Sequence, residues 1–193
     1  MAYQTLRRAG DPGAPTLVML HGTGGDKEGF ATLAPMLHPG AGVLALDGDV
    51  FEGGARRFFR RTGEGVYDME DLARRTAQLG RFLEDQDLGE AVGVGYSNGA
   101  NILANLAIMG FTGLRRLVLM HPLIPFEPEW PDLTGLEVLI TAGERDPIGP
   151  MPMTEALIEG LTGAGARVDT HWHPGGHELV QSEIAVARDF LAA

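Results

Sequence analysis

The sequence predicts an α/β fold: a doubly wound, mostly parallel sheet with helices on both faces and no large cap. Three observations predict it. Six short apolar runs recur along the chain, helix-period segments fall between them, and turn residues from a pool of 28 Gly and 12 Pro punctuate the pattern. Short runs without polar alternation suit strands buried on both faces of a parallel sheet. Regular exchange of strand and helix is the signature of such a sheet.

Tyr3 to Arg8 alternates in polarity and reads as an extra edge strand. Thr16 to Leu20 (TLVML) is the first apolar run, ending in the loop HGTGGD. A weaker helix covers Lys27 to Leu37, and Val43 to Leu46 is the second run. From Asp68 to Asp85 the residues Met69, Leu72, Thr76, Leu79 and Leu83 recur at helical spacing, with Asp68 able to cap the start. Ala91 to Gly95 is the third run, followed by an apolar helix from Ala100 to Met109 that should be buried. Leu117 to Met120, Val138 to Ile140 and Val168 to Trp172 complete the strands. Thr154 to Leu161 and Glu183 to Leu191 complete the helices. Two stretches, Gly48 to Tyr67 and Pro122 to Asp132, read as loops of functional length.

Composition narrows the function. A chain of 193 residues suits a single domain spanning 1–193. The absence of Cys excludes disulfides, thiolate metal sites and a Cys nucleophile together. With 15 basic against 26 acidic residues, the net charge of -11 argues against nucleic acid as a partner. No apolar stretch is long enough for membrane insertion, and no secretory signal is apparent, so the expected location is cytoplasmic. No cofactor or metal is implied.

The chain has two serines, and one of them, Ser97, lies in Gly95-Tyr96-Ser97-Asn98-Gly99 between a strand run and a helix. G-x-S-x-G in that setting is a nucleophile elbow: the sharp turn holds the hydroxyl above the sheet, and the glycines clear the close strand–helix contact. A hydroxyl needs a base, and the base needs an orienting carboxylate. His177 follows Pro174-Gly175-Gly176 after the last strand run, where a loop can reach Ser97. His171 and His173 read instead as strand-end or surface residues, and His121 as a loop-packing residue able to approach the site. Asp146, a few residues beyond the fifth run, is favoured as the acid over Glu144. Asp132 and Asp169 read as surface residues. The tetrahedral intermediate needs donors, expected at the backbone N–H of Asn98 and of Thr23 in the loop after the first run. His21 reads as a structural hydrogen-bonding residue.

The segments LHGTGGDKEGF, GYSNGANI, TAGERDPI and HPGGHEL together resemble the α/β-hydrolase superfamily, within it the small lidless carboxylesterase/phospholipase branch that includes acyl-protein thioesterases. ARRFFRRTGEGVYDMEDL further resembles bacterial hydrolases linked to hydroquinone resistance. The resemblance implies Ser97 as nucleophile, Asp146 as acid, His177 as base, and Thr23 and Asn98 as oxyanion donors. Dienelactone hydrolases are similar small relatives with a Cys nucleophile, where this chain has Ser97.

Substrate contacts are expected from Phe58 or Phe59 in the arginine-rich loop 56–61, and from Phe126, Trp130, Ile148 and Met151. An equally available reading of FF flanked by arginines is two core rings with solvated cations. Without a cap the cleft should be open and suit a small or short-chain ester or thioester. The competing expectation is a hydrolase-fold ligand-binding or sensor protein with little turnover. An exposed edge strand leaves a homodimer open.

Overall fold

The structure is a computed structural model and describes residues 3–63 and 65–193. The chain runs β1 (Thr5–Arg8), β2 (Thr16–Leu20), α1 (Lys27–Phe30), a 3-10 turn (Ala31–Leu33), α2 (Ala34–Leu37) and β3 (Gly42–Leu46). Two small ribbons follow, β4 (Val50–Glu52) with β5 (Ala55–Arg57), then β6 (Arg61–Gly63) with β7 (Val66–Tyr67). The remainder alternates: α3 (Met69–Glu84), β8 (Ala91–Tyr96), α4 (Asn98–Ile108), β9 (Arg116–Met120), β10 (Glu137–Gly143), α5 (Met151–Gly163), β11 (Arg167–His173) and α6 (Gln181–Ala192).

The large sheet has the order β1-β3-β2-β8-β9-β10-β11. Only β1 is antiparallel to its neighbour, β3; the other pairings are parallel. This is the predicted doubly wound α/β arrangement, and no large cap covers the described residues.

The apolar runs divide between two cores because successive strand side chains point to opposite faces. Val18, Leu20, Leu44, Leu46 and Ile140 pack with Leu72 and Leu79 of α3, Leu103 of α4 and Leu157 of α5. Leu17, Met19, Val43, Ala45, Val92 and Leu139 pack with Phe30, Leu37 and residues of α6 on the other face. Burial of both faces removes any reason for polar alternation, so the runs are uniformly apolar. The last run differs from expectation. β11 is an edge strand, and its residues 167, 169 and 170 are exposed, so it is not buried on both faces.

Asp68 caps α3 by accepting from the backbone N–H of Asp71, and acidic residues fill that helix's first turn. The weak segment 27–37 forms as two single turns of α-helix around a 3-10 turn. Loop 122–132 is irregular, whereas 48–67 holds the two ribbons. Among the described residues no helix is long and apolar enough to cross a membrane.

Candidate active site

Four adjacent parallel strands, β8 to β11, end along one rim of the sheet, where open α/β sheets bind ligands. Ser97 follows β8 directly and adopts φ 50°, ψ −115°, a conformation non-glycine residues rarely take. Such strain costs about 1–3 kcal/mol and persists only where the surroundings enforce it. They do so here. A Cβ on Gly95 would lie 2.6 Å from Ala100 N, and one on Gly99 would lie 2.1 Å from Leu20 O. Strand and helix can meet this closely only because both positions are glycine. The Ser97 N–H donates to Met120 O at 2.8 Å, and Ser97 O accepts from Asn101 N–H at 2.8 Å.

The loop after β11 brings His177 over this turn. Its Nε2 lies 2.8 Å from Ser97 Oγ, and its Nδ1 lies 2.6 Å from Asp146 Oδ2. A carboxylate can only accept, so Nδ1 carries the proton and Nε2 is free to accept from the serine hydroxyl. Two backbone bonds join the loops that carry Asp146 and His177, Glu144 N–H to His173 O at 2.8 Å and Arg145 N–H to Gly175 O at 3.0 Å. The Tyr96 hydroxyl donates to His177 O at 2.6 Å, anchoring the base loop from the elbow side. Asp146 Oδ1 accepts from Ile148 N–H (2.8 Å) and Gly149 N–H (3.0 Å). Burial alone would raise the Asp146 carboxyl, but these donors and the two histidines hold it below its ordinary value. Glu144 is exposed and lends the rim only its backbone. Asp132 and Asp169 are exposed, as expected.

Asn98 opens α4, so its N–H is among those a helix leaves without an intrahelical acceptor. Its side-chain oxygen accepts from Phe58 N–H at 2.7 Å. Thr23 lies across the cleft, its Oγ1 accepting from Arg57 Nη1 at 2.9 Å. The 48–57 excursion pins that loop further. Gly24 N–H donates to Arg56 O at 2.9 Å. Gly48 N–H donates to His21 Nε2 at 3.1 Å, while His21 Nδ1 faces Gly22 O at 2.7 Å. That pattern describes a neutral, buried imidazole; its pKa is lowered, burial being the largest cause. His21 is thus placed as a structural hydrogen-bonding residue.

Ser97 opens onto a cleft of about 240 Å³ lined by Thr23, Arg57, Arg61, Tyr67, Asn98, Asn101, Leu123, Ile148 and His177, among others. Ile148 therefore stands where substrate contact was expected. The other apolar candidates do not. Phe58 and Phe59 are fully buried; Phe58 packs against His21 (centroids 4.9 Å) and Phe59 against Tyr67 (4.8 Å). The neighbouring cations are what reach the cleft. Arg57 is itself buried rather than solvated, and Arg61 is exposed at the rim. Phe126 and Trp130 fold back against the hydrophobic core, Trp130 lying on α5 over Gly160, where a Cβ would sit 2.1 Å from its ring. Met151 begins α5, half-buried, and is not among the cleft residues. Sequence reasoning missed the polar floor. Asn101 Nδ2 donates to Tyr67 Oη (2.7 Å), Tyr67 Oη donates to Leu123 O (2.8 Å), and Leu123 N–H donates to Asn101 Oδ1 (2.7 Å).

The structure also revises two histidines. His121, at the end of β9 with φ 52°, is buried against Asp146, its Nδ1 2.9 Å from Oδ2. Its Nε2 lies 3.0 Å from Oε1 of buried Glu183 on α6. His173 ends β11, the strand-end position expected of it, and is buried beside both rather than at the surface. His121 falls into two clusters whose ligating atoms lie within 4.8 Å of one another, with Asp146 and His177 and with His173 and Glu183. Mutual hydrogen bonds, together with Thr141, Val180, Ile148 and Gly149, account for those atoms. A metal could enter only by displacing them.

Residues 14–185 match the dienelactone hydrolase family. The "Putative hydrolase MhqD" of Bacillus subtilis (strain 168) is 39% identical over 181 residues, 90% of each chain. A protein of unknown function from Agrobacterium tumefaciens (strain C58) is 53% identical, with a TM-score of 0.91 over 98% of this chain and 96% of that one. A Bacillus cereus carboxylesterase is 38% identical, with a TM-score of 0.93 over 98% of this chain and 93% of that one.

Proposed function

Because this chain belongs to the dienelactone hydrolase family, we propose that it is a serine carboxylesterase or thioesterase acting on small or short-chain acyl esters through Ser97, His177 and Asp146. The observation that carries the reading is the unbroken relay from Ser97 Oγ to His177 (2.8 Å) to Asp146 (2.6 Å). His177 Nε2 takes the Ser97 proton as Oγ attacks the acyl carbonyl, and Asp146 stabilises the imidazolium that forms. Negative charge develops on the carbonyl oxygen at the α4 N-terminus, where the N–H groups of Asn98 and Thr23 receive it. As the carbonyl re-forms, the alcohol or thiol leaves with the proton held by His177. A water molecule, deprotonated by His177, then attacks the acyl-enzyme, and His177 returns that proton to Ser97 Oγ as the acid leaves.

The serine at the elbow distinguishes this chemistry from that of a Cys nucleophile. A serine hydroxyl needs a base in contact before it reacts, and the contact is present in the resting protein. The cleft's volume of about 240 Å³ favours short acyl groups. Turnover of p-nitrophenyl acetate and butyrate tests the proposal. Ser97→Ala should lower kcat by roughly 10⁴ or more, and wild-type turnover in that variant would remove Ser97 from the role.

A further inference from the structure

Asp146 serves two histidines. Its Oδ2 accepts from His177 Nδ1 at 2.6 Å and meets His121 Nδ1 at 2.9 Å. The opposite nitrogen of His121 meets Glu183 Oε1 at 3.0 Å. The His121 and Glu183 side chains are 0% exposed and that of Asp146 is 1% exposed, so bulk water does not mediate between them.

A neutral imidazole has one nitrogen without hydrogen. Between two carboxylates that nitrogen would set lone pair against lone pair. The conflict disappears if His121 carries both protons, or if one carboxylate takes a proton. Both carboxylates are arranged to stay ionised. Asp146 Oδ1 receives two backbone N–H groups. Glu183 receives the Thr141 hydroxyl at 2.6 Å and the Val180 N–H at 2.8 Å. Donors aimed at a carboxylate favour its charged form.

We propose that His121 is an imidazolium bridge between Asp146 and Glu183, a positioning residue that fixes the acid and offsets the second buried negative charge beside the base. The inference rests on the esterase reading and adds a residue to it. Two carboxylates and one imidazolium leave the resting cluster at one net negative charge, the charge of a simple triad. Proton transfer from Ser97 to His177 then brings the cluster to neutrality. Without the charge on His121, two buried anions would face His177 and favour its protonated form before substrate arrives, which blocks it as a base.

The direction of titration agrees. Burial lowers the His121 pKa, but hydrogen bonds first to Glu183 and then to Asp146 outweigh it, and the net shift is upward. Burial raises the Glu183 carboxyl, and the bonds from His121, Thr141 and Val180 bring it below its ordinary value. The groups facing His121 come from several elements. From beyond β10 and β11 come Asp146 and His177, the latter ring 5.1 Å away. From α6 comes Glu183, and from β8 comes the Tyr96 ring at 5.9 Å. From β11 comes His173, whose Nδ1 accepts from Gly175 N–H, so its proton sits on Nε2, 3.5 Å from both Glu183 Oε2 and His121 Nε2. The exposed carboxylate of Glu178 lies further out on the loop that carries His177.

Two measurements test the bridge. In wild-type protein carrying ¹⁵N-histidine, NMR should find both His121 ring nitrogens protonated from pH 6 to 8, the signals being assigned by their loss in His121→Gln. A neutral His121 tautomer in that range would overturn the proposal, whatever any variant does. In His121→Gln the cation is gone while both carboxylates stay, so the acidic limb of kcat/KM for p-nitrophenyl acetate should move up by about one pH unit. That is roughly a ten-fold loss at pH 6 relative to the alkaline plateau. A purely structural role would lower the plateau and leave the limb in place, and a folded variant behaving so would refute the positioning role. Wild-type protein that hydrolyses no ester would instead refute the esterase reading, while the NMR result would still decide the charge of His121.

Discussion

Gly143→Ala should disable the site without touching any residue of the relay. Gly143 ends β10 directly beneath the base loop. A Cβ there would sit 2.0 Å from Gly176 O and 2.7 Å from Gly175 O. Contacts under 3.0 Å are essentially never seen, so the carbonyl of Gly176 must retreat by about 1 Å, and His177 is the next residue. A displacement of about 1 Å in a catalytic group can lower turnover about 10²-fold. Forcing an extra carbon into a packed contact also destabilises by about 1–3 kcal/mol. The assay is kcat and KM on p-nitrophenyl acetate beside a thermal melt. The fall should appear mainly in kcat, because Gly143 itself is not among the residues that line the cleft. Gly163→Ala is the matched control: it ends α5, and nothing lies within 4 Å of its added Cβ. It should leave both parameters unchanged. A Gly143→Ala protein that melts lower yet keeps wild-type kcat would refute the claim that docking on β10 aligns His177.

Other expectations follow from the same geometry. Tyr96→Phe removes the hydroxyl that holds His177 O, so kcat should fall several-fold and stability by about 1 kcal/mol; an unchanged kcat would deny Tyr96 an anchoring role. Arg61→Ala should raise KM several-fold more for a carboxylate-bearing ester than for its neutral counterpart, since Arg61 lines the cleft from its exposed rim; equal effects on the two would show that the cation does not read the substrate. Stability should decline on both sides of neutrality. The depressed Asp146 and Glu183 carboxyls stabilise the fold above their unfolded values of about 3.9 and 4.3, and this is lost as the pH falls through their folded values. The raised His121 contributes fully below its unfolded value of about 6.5, and this is lost as the pH rises through its folded value. Thermal melts from pH 3 to 10 check both limbs; a Tm that climbs below pH 4 would contradict the first.

The parts that could be read in advance are those whose physics is local. Strands buried on both faces must be apolar, so the runs at 16–20 and 117–120 announce themselves. The elbow is legible because the turn demands glycine at fixed offsets from Ser97, Gly95 by its contact with Gly99 and Ala100 and Gly99 by its contact with Leu20 and His21. β11 misled because an edge strand obeys a different rule: its outer positions face water. The ribbons β4 to β7 escape the pattern because strands of two or three residues are too short to carry a readable period. Phe58 and Phe59 read equally as core or cleft because a pair of rings beside arginines looks the same in a core and in a pocket wall. His121 was undervalued because its partners, at positions 146 and 183, lie on other segments. A signal existed nonetheless. It ends the strand that lies between those of Ser97 and Asp146, so the sheet order alone brings it to the rim.

The central claim, a hydroxyl at 97 made reactive by its neighbours, is tested most directly with a fluorophosphonate probe and peptide mapping. Rapid stoichiometric labelling at Ser97, absent in Ser97→Ala and greatly slowed in a folded His177 variant, is the predicted result. Folded wild-type protein that takes up no label, or takes it up at another residue, would contradict the account and favour a protein that binds ligands without turning them over.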